Sequence, residues 1–319
     1  MKRVVIGLDT SNYRTSVAAV STEGEILAND RELLPVAAGE RGLRQSDAVF
    51  AHLKRLGRMR EHLLPEGEKY RIAAVAASVT PRDGESSYMP VFQVGTSFGR
   101  MMAATLGVPF FETTHQRGHL AAAAFDTKLA NVTDMLALHL SGGTTDLLEM
   151  HEDRIAKIGG SLDLHAGQLV DRAGVAMGLP FPAGPAMEEI AVHGESRGLL
   201  GCSMTANHLE CHFSGAEAQI TRWIRDGSMK QEDIAREIYD LLARTISRML
   251  TAGCKKTGLR EVLVAGGVAA SALLRNMLES RLSAIRNAPE AVFGKTEMSG
   301  DNAVGVAMIG LKQLSEIRG

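Results

Sequence analysis

Aromatic residues are scarce in this chain of 319 residues, where they make up 4% of the composition and tryptophan occurs once. Broad platforms on which nucleic-acid bases stack against aromatic rings are therefore not expected. Positive charge is not in excess either, since the formal net charge is −2 at pH 7 and the sequence pI is about 6.6. A chain with this balance lacks the global basic field that attracts nucleic acid to strongly basic proteins.

Cysteine is equally rare, and the three residues Cys202, Cys211 and Cys254 have no paired spacing. This argues against a disulfide scaffold and favours a reducing compartment. No apolar run reaches the roughly 20 residues that span a bilayer. Met1-Lys2-Arg3 leads into a strand-like run instead of a signal-peptide core. We therefore expect a soluble cytoplasmic protein with no membrane segment.

Short apolar runs separated by small polar turns occur twice in a similar order. The first series predicts strands over 4–34, with Asp9-Thr10-Ser11-Asn12 in the first turn. The second series spans 135–160 and carries Ser141-Gly142-Gly143-Thr144 after its first strand. Backbone N–H groups in such turns can hold phosphate, although an ordinary hairpin meander would show the same pattern. The repetition favours an internal duplication that produces two similar domains.

The segment His115-Gln116-Arg117-Gly118-His119 follows a predicted strand at 108–113, and Thr114 can cap the helix that it begins. Histidines four residues apart lie one above the other on one helix face, where both can bind one metal ion. Two helix histidines that face solvent or pack singly are the alternative, and the spacing alone favours that alternative. Other motifs further along the chain strengthen the metal interpretation.

A third small-residue turn, Gly266-Gly267-Val268, ends a predicted buried strand, and Ser271 is placed to cap the following helix. The segment 199–211 is predicted to be irregular. Asp301-Asn302 opens the last predicted helix, where an aspartate ordinarily serves as an N-cap. Three turns that follow strands could therefore each contact part of a nucleotide.

The ordered set of motifs is more specific, and it resembles the TsaD family, also called Gcp and formerly described as O-sialoglycoprotein endopeptidase. Order and spacing agree over essentially the whole chain. The matching residues are Asp9-Thr10-Ser11, His115-x-x-x-His119, Leu140-Ser141-Gly142-Gly143-Thr144, Asp171, Pro182-Ala183-Gly184-Pro185, Phe213-Ser214-Gly215, Ala265-Gly266-Gly267-Val268 and Asp301-Asn302.

The resemblance implies the α/β actin-like ATPase (ASKHA) fold, with two similar domains around a central cleft. The expected domains are residues 1–114 plus about 302–319, and residues 115–301. The implied activity is that of an acyltransferase: metal-dependent transfer of a threonylcarbamoyl (or carbamoyl) group from an acyl-adenylate to N6 of an adenosine in tRNA. Protein partners of a threonylcarbamoylation complex are implied as well.

The resemblance also assigns site residues. It implies one divalent Fe or Zn ion held by His115, His119 and Asp301, with Asp9 and Ser11 as catalytic residues. Two imidazoles and one carboxylate would leave open positions on the ion for substrate oxygens. An adenine nucleotide or acyl-adenylate would contact Leu140, Ser141, Gly142, Gly143, Thr144, Asp171, Gly184, Gly266, Gly267 and Ser271.

The sequence departs from the family pattern around the predicted nucleotide turns. The family's first turn reads Glu-Thr-Ser-Cys-Asp-Glu-Thr, whereas here Tyr13 and Arg14 stand where its acidic residues would be. Thr144, Asp146 and Ser271 replace the family's usual residues in the later turns. We expect all five positions to lie on turns that line one cleft, so these departures bear on the substrate more than on the fold.

Several other functions are consistent with parts of the pattern. One alternative is a non-catalytic nucleotide-binding paralogue that acts as a partner subunit, and another is a carbamoyltransferase with an acceptor other than tRNA. A retained set of metal ligands favours the enzyme over the binding subunit. The glycoprotease description lacks the glutamate of an HExxH motif, and an actin-like sugar or acetate kinase would not need the histidine pair.

Overall fold

The protein, described here from a computed structural model, consists of two compact units, and each unit contains one sheet. Unit 1 comprises Met1–Phe125 together with Gly300–Gly319, and unit 2 comprises Asp126–Ser299. The structure describes residues 1–11, 13–35, 43–59, 63–64, 69–84, 88–152 and 154–317.

The helix of the histidine pair belongs to unit 1, whereas the bounds expected from the sequence assigned it to the second domain. The reason is a close contact between this helix and the last helix of the chain. A Cβ atom at Gly305 would lie only 1.9 Å from the carbonyl oxygen of Gly118. The two helices therefore form one packed layer, and the boundary follows Phe125.

The sheet of unit 1 has five strands in the order β3-β2-β1-β4-β5. Strand β1 pairs antiparallel with β2 and parallel with β4, and β4 pairs parallel with β5. Helices α2 and α9 both contact β1, which explains why Val4, Val5 and Ile6 are all fully buried. The elements are β1 (Lys2–Thr10), β2 (Arg14–Ser21), β3 (Ile26–Leu33), α1 (Gln45–Met59), β4 (Tyr70–Thr80), α2 (Phe92–Leu106), β5 (Phe110–Thr114), α3 (His115–Ala124) and α9 (Val304–Glu316).

The sheet of unit 2 has seven strands in the order β12-β11-β6-β7-β8-β10-β9. The long helix α7 is the centre of its core, with Tyr239, Leu241 and Leu242 almost completely buried. The elements are β6 (Met135–Leu140), β7 (Thr145–His151), β8 (Arg154–Ser161), α4 (Ala166–Ala176), α5 (Gly184–Ala191), β9 (Ser203–Met204), β10 (Glu210–His212), α6 (Ser214–Asp226), α7 (Gln231–Thr257), β11 (Glu261–Ala265), α8 (Ala272–Ser283) and β12 (Glu290–Phe293).

The two units repeat one strand order. Read from β8, the unit 2 sheet runs β8-β7-β6-β11-β12, which corresponds strand for strand to β3-β2-β1-β4-β5. The pairing directions agree as well, since β6 is antiparallel to β7 and parallel to β11, and β11 is parallel to β12. The two α/β domains expected from the repeated strand series are therefore present, and β9 and β10 are additions at the β8 edge.

The secondary structure expected from the sequence was wrong for two short strands at the edge of the unit 2 sheet. The segment 199–211, expected to be irregular, contains β9 and most of β10; β10 pairs with β8 on one side and with β9 on the other. Strands of two or three residues are too short to show an alternating pattern.

Within the described part of the chain no helix is long and apolar enough to cross a membrane, and all three cysteines are free thiols.

Candidate functional site

Two polar side chains follow the buried run of β1 in unit 1. Asp9 is 1% exposed and Ser11 is 3% exposed, at the end of a strand whose other residues are mainly apolar. A buried carboxylate is costly unless it is hydrogen-bonded, and Asp9 has two donors. Its Oδ1 accepts a hydrogen bond from the Ser78 hydroxyl on β4, and its Oδ2 lies 2.8 Å from His115 Nδ1. Asn12, in the same turn, lies outside the described residues.

Helix α3 begins at His115 directly after β5, as the sequence predicted. Thr114 is its N-cap and accepts a hydrogen bond from the Arg117 N–H at 3.2 Å. The cap and the helical spacing bring the two histidines together, with His119 Nε2 lying 3.1 Å from His115 Nε2. The rings are edge-on to each other, with centroids 4.4 Å apart. His119 is buried and His115 is partly exposed, so the pair faces neither bulk solvent nor an apolar core.

Asp301 completes the cluster from the other end of unit 1. Its Oδ1 lies 3.1 Å from His119 Nε2 and 3.8 Å from His115 Nε2, and its Oδ2 accepts a hydrogen bond of 2.8 Å from the Ser11 hydroxyl. Asp301 is not the N-cap of α9, which is Ala303, and the side chain that bonds to the first helical N–H is Asn302. The ordinary capping role is therefore excluded for Asp301.

The donor atoms of His115, His119 and Asp301 fit a single metal ion. They lie within 4.8 Å of one another. An ion equidistant from donors with the three separations given above would be about 2 Å from each, which is the length of a Zn–N or Zn–O bond. A carboxylate oxygen can only accept a hydrogen bond, so the neutral form of the His115 ring keeps its hydrogen on Nδ1, facing Asp9. In that form the lone pair of Nε2 is available to a metal ion beside His119 and Asp301.

Ionisation of the cluster is governed by burial and by the two carboxylates. Burial lowers the pKa of His115, but the charge and hydrogen bond of Asp9, with the charge of Asp301, outweigh burial and raise that pKa to about 9. Burial raises the pKa of Asp301, but His119, His115 and Ser11 together hold that pKa far below its ordinary value. Asp301 is therefore anionic, and a metal ion that bound here would have to displace a proton from His115.

Two residues that the sequence analysis missed support this cluster. Ser78 is fully buried on β4 and donates to Asp9. His52 on α1 is also fully buried, with Nε2 2.9 Å from the Ser11 carbonyl oxygen and Nδ1 2.8 Å from the Thr15 hydroxyl. Burial lowers the pKa of His52 to about 4, so this ring is neutral. Ser78 could have been predicted as a functional residue, because it is a polar residue inside an otherwise apolar strand.

The residues that depart from the family pattern lie in different environments. Arg14 is half-buried and its Nη1 lies 3.4 Å from the Asp301 carbonyl oxygen, so it belongs to the cluster. Tyr13 is 48% exposed. Asp146 contradicts the expectation of a turn residue, because it lies inside β7, is 4% exposed and pairs with Lys157 at 2.6 Å. Strand pairing with β8 places this carboxylate beside Lys157.

In unit 2 the predicted nucleotide turn follows β6 directly. The Ser141 N–H donates to the Thr144 carbonyl at 2.8 Å, which closes the turn, and Gly142 and Gly143 are exposed at its tip. A Cβ atom at Gly266 would lie 2.1 Å from the Leu140 carbonyl oxygen, and Gly266 has a positive φ of 100°. Only glycine fits there, and it brings the 266–267 turn against the end of β6.

The remaining predicted nucleotide residues lie around the same part of unit 2. Asp171 Oδ2 would be 4.0 Å from a Cβ atom at Gly142, and its Oδ1 accepts from the Ala183 N–H at 2.8 Å, next to Gly184. Burial raises the pKa of Asp171. Ser271 caps α8 through the Leu274 N–H at 3.1 Å, as predicted. Leu140 is fully buried, so only its backbone could contact a ligand.

Comparison with known proteins decides the family. The family model described as "TsaD: tRNA N6-adenosine threonylcarbamoyltransferase" matches residues 38–306. The chain belongs to the TsaD family. A relative of that name from Chlorobium luteolum is 30% identical over 334 residues, covering 97% of this chain and 93% of its own. Another from Thermococcus sibiricus is 27% identical over 279 residues, covering 87% of this TsaD-family chain and 82% of its own.

Solved structures agree on the fold of this TsaD-family chain. HypF from T. kodakarensis superposes with a TM-score of 0.62 at 14% identity over 99% of this chain, which spans 48% of HypF. A ROK family glucokinase from Streptomyces griseus, solved with glucose and AMPPNP, gives a TM-score of 0.57 at 14% identity, covering 97% of this chain and 99% of its own. At these identities the likeness concerns the fold alone, which is the actin-like ATPase fold.

Proposed function

We propose that this TsaD-family chain is a metal-dependent tRNA N6-adenosine threonylcarbamoyltransferase that takes the threonylcarbamoyl group from an acyl-adenylate. The relatives named for that activity match nearly the whole chain. The observation that carries the proposal is the cluster of His115, His119 and Asp301, whose donor atoms converge although Asp301 is far away in sequence. A chain that only bound nucleotide would not need three metal-ligating side chains placed close enough to bind one ion.

The metal would be held by His115 Nε2, His119 Nε2 and Asp301 Oδ1. A bound Fe or Zn ion would act as a Lewis acid that polarises the carbamoyl carbonyl group. Asp9 holds the His115 ring in the tautomer that can bind metal, and Ser11 orients the Asp301 carboxylate. In this proposal Asp9 and Ser11 are positioning residues, because each contacts a ligand side chain; this revises the catalytic role expected for both.

The adenylate would be held by the turn Ser141–Thr144 of unit 2. Gly142 and Gly143 are exposed and lack side chains, so a phosphate could approach their backbone closely. Asp171, beside the turn, is a candidate acceptor for ribose hydroxyl groups, since its carboxylate uses one oxygen to accept from the Ala183 N–H. We propose that Gly184, Gly266, Gly267 and Ser271 shape the rest of this nucleotide site.

The decisive experiment measures metal content and transfer together. A His115→Ala/His119→Ala double variant should lose stoichiometric metal, as measured by mass spectrometry of metals, and should no longer transfer the threonylcarbamoyl group to an unmodified tRNA transcript. His193→Ala/His208→Ala is the matched control, because both of these histidines are exposed in unit 2. Unchanged metal content or unchanged transfer in the first variant would refute the metal-dependent mechanism.

A second candidate function is carbamoyl transfer to an acceptor other than tRNA, and the position of Arg14 favours testing it. Its guanidinium group lies at Asp301, where the family pattern has acidic residues nearby, and it could pair with a substrate carboxylate. A Tyr13→Asp/Arg14→Glu variant should change the preference between threonylcarbamoyl-adenylate and carbamoyl-adenylate while metal content stays constant. Identical preference in both proteins would remove the support for this candidate.

The tRNA acceptor and the protein partners of a threonylcarbamoylation complex are parts of the same proposal. Their support is the family membership. Transfer assays with the purified chain, repeated after addition of a cell extract that lacks it, measure whether partners are required. Full transfer by the purified chain alone would contradict the requirement for partners.

A further inference from the structure

A cavity of about 700 Å³ lies in unit 2, apart from the residues assigned above. It is lined by the loop that follows α5, by α7 and by α8. Its charged side chains are Arg236, Arg244, Arg281, Asp240 and Glu195. Three guanidinium groups in one cavity are unexpected in a chain whose net charge is −2, and arginine in this number is typical of phosphate recognition.

Two of the guanidinium groups are held in place by Asp240. Its Oδ2 lies 2.8 Å from Arg244 Nε, and its Oδ1 lies 2.5 Å from Arg281 Nη2, so that α7 and α8 are linked through this carboxylate. Arg244 Nη2 also donates to the Leu200 carbonyl oxygen at 2.8 Å. These bonds use some of the five N–H donors that each arginine has. Fixed guanidinium groups lose little further side-chain entropy when an anion binds.

The loop that forms the opposite wall is held equally firmly. Glu237 on α7 is fully buried and accepts hydrogen bonds from the N–H groups of Arg197, Leu199 and Leu200. The Glu195 N–H donates to Asp233 on the same helix at 2.9 Å. The Glu237 and Asp233 carboxylates therefore accept hydrogen bonds from the loop backbone. Because these bonds hold the loop in place, the cavity has its shape before any ligand binds.

The charge of the lining is positive on balance. Arg236 is half-buried, and among the described residues no carboxylate lies within 4.0 Å of it in an ion pair. Asp240 compensates one guanidinium charge of the Arg244–Arg281 pair. Glu195 also lines the cavity, but its side chain is exposed to solvent, which weakens its field at the arginines.

We propose that this arginine cavity binds the phosphate–ribose backbone of RNA, which deepens the proposed function and rests on it, because tRNA is the acceptor proposed above. The volume exceeds what one phosphate needs and is within the range of nucleotide-sized ligands. The lining has one apolar side chain, Met277, and no aromatic ring among the described residues. Such a lining suits the polar backbone better than a stacked base, so the contact is independent of base sequence.

The competing explanation is an ion-pair network that only joins α7, α8 and the loop. That explanation accounts for Arg244 and Arg281, whose bonds to Asp240 and Leu200 are structural. It does not account for Arg236, for which no such bond is seen in the described part of the chain. The two explanations also differ for Glu195: removing its charge strengthens phosphate binding, whereas it leaves a purely structural network unaffected.

The test measures binding of an unmodified tRNA transcript by filter retention between about 50 and 200 mM salt. Arg236→Gln/Arg281→Gln should weaken binding roughly tenfold at the lower salt and reduce the log–log salt slope by about 1 to 2. Glu195→Gln should strengthen binding. Arg222→Gln/Arg225→Gln is the matched control, because it removes the same charge from exposed positions of α6 and should change binding much less.

Each outcome supports or overturns the RNA proposal. Equal losses in the arginine variant and its α6 control would overturn it, as would unchanged tRNA binding in the arginine variant. Loss of binding to inorganic phosphate or AMP with intact tRNA binding would identify a small-anion site instead. If the double variant fails to fold, Arg236→Gln alone serves. Binding is measured without transfer, so a protein that binds tRNA here but transfers nothing would refute the proposed function and leave this site standing.

Discussion

Helices α3 and α9 cross at Gly118 and Gly305, and this crossing sets the distance between the histidines and Asp301. A Cβ atom at Gly305 would lie 1.9 Å from the Gly118 carbonyl oxygen and 2.7 Å from the Ala122 nitrogen. Unstrained carbon–oxygen contacts are about 3.3 Å or longer. Replacing Gly305 with alanine must therefore lengthen this carbon–oxygen separation by roughly 1.4 Å, which pushes the helices apart.

The expected consequence is loss of both stability and metal. Overpacking of this kind costs about 1–3 kcal/mol, which corresponds to a fall in Tm of roughly 2–12 °C for a unit of this size. His119 moves with α3, and Asp301, which directly precedes the N-terminus of α9, moves with that helix, so the 3.1 Å separation of their donor atoms would increase. Because metal–ligand distances tolerate only about 0.2 Å, metal affinity should fall at least about tenfold.

The assay combines calorimetric Tm with competitive zinc titration of Gly305→Ala. Gly57→Ala is the control, because Gly57 is exposed in α1 and a Cβ atom there would have no neighbouring atom within 4 Å among the described residues. In the control, alanine in a helix interior should raise stability by roughly 0.5–1 kcal/mol. A Gly305→Ala protein with wild-type Tm and wild-type zinc affinity would refute the proposed link between the helix crossing and the metal cluster.

Three further predictions concern individual groups. Asp9→Asn should weaken metal binding by about 10- to 100-fold in a zinc titration, because the amide no longer fixes the His115 tautomer; equal affinity would show that Asp9 has no positioning role. Metal affinity of the wild type should rise from pH 7 to pH 9, because the pKa of His115 is raised to about 9 and its proton competes with metal below that pH; affinity that is flat over this range would contradict the competition. Gly143→Val should weaken ATP binding in calorimetry without lowering Tm, because no described residue has an atom within 4 Å of a Cβ atom there; unchanged affinity would exclude the turn as a phosphate site.

Much of the fold could be predicted because its signals are local. The apolar runs predict the central strands, and Thr114 and Ser271 cap the starts of their helices as expected from cap chemistry. The strand series that occurs twice predicts two similar domains, which the repeated strand order shows. The failures were the short edge strands β9 and β10, where two or three residues carry too little pattern.

The sequence by itself determined the chemistry available to this protein, because the spacing of His115 and His119 on a helix is a property of the backbone period. Only the tertiary structure decided what surrounds that pair. Asp301 reaches His119 across 182 residues of sequence, and Ser78 reaches Asp9 across 69. The arginine cavity arises in the same way, since Arg281 and Asp240 lie on different helices. Such contacts depend on how closely helices and strands pack, which no local periodicity encodes.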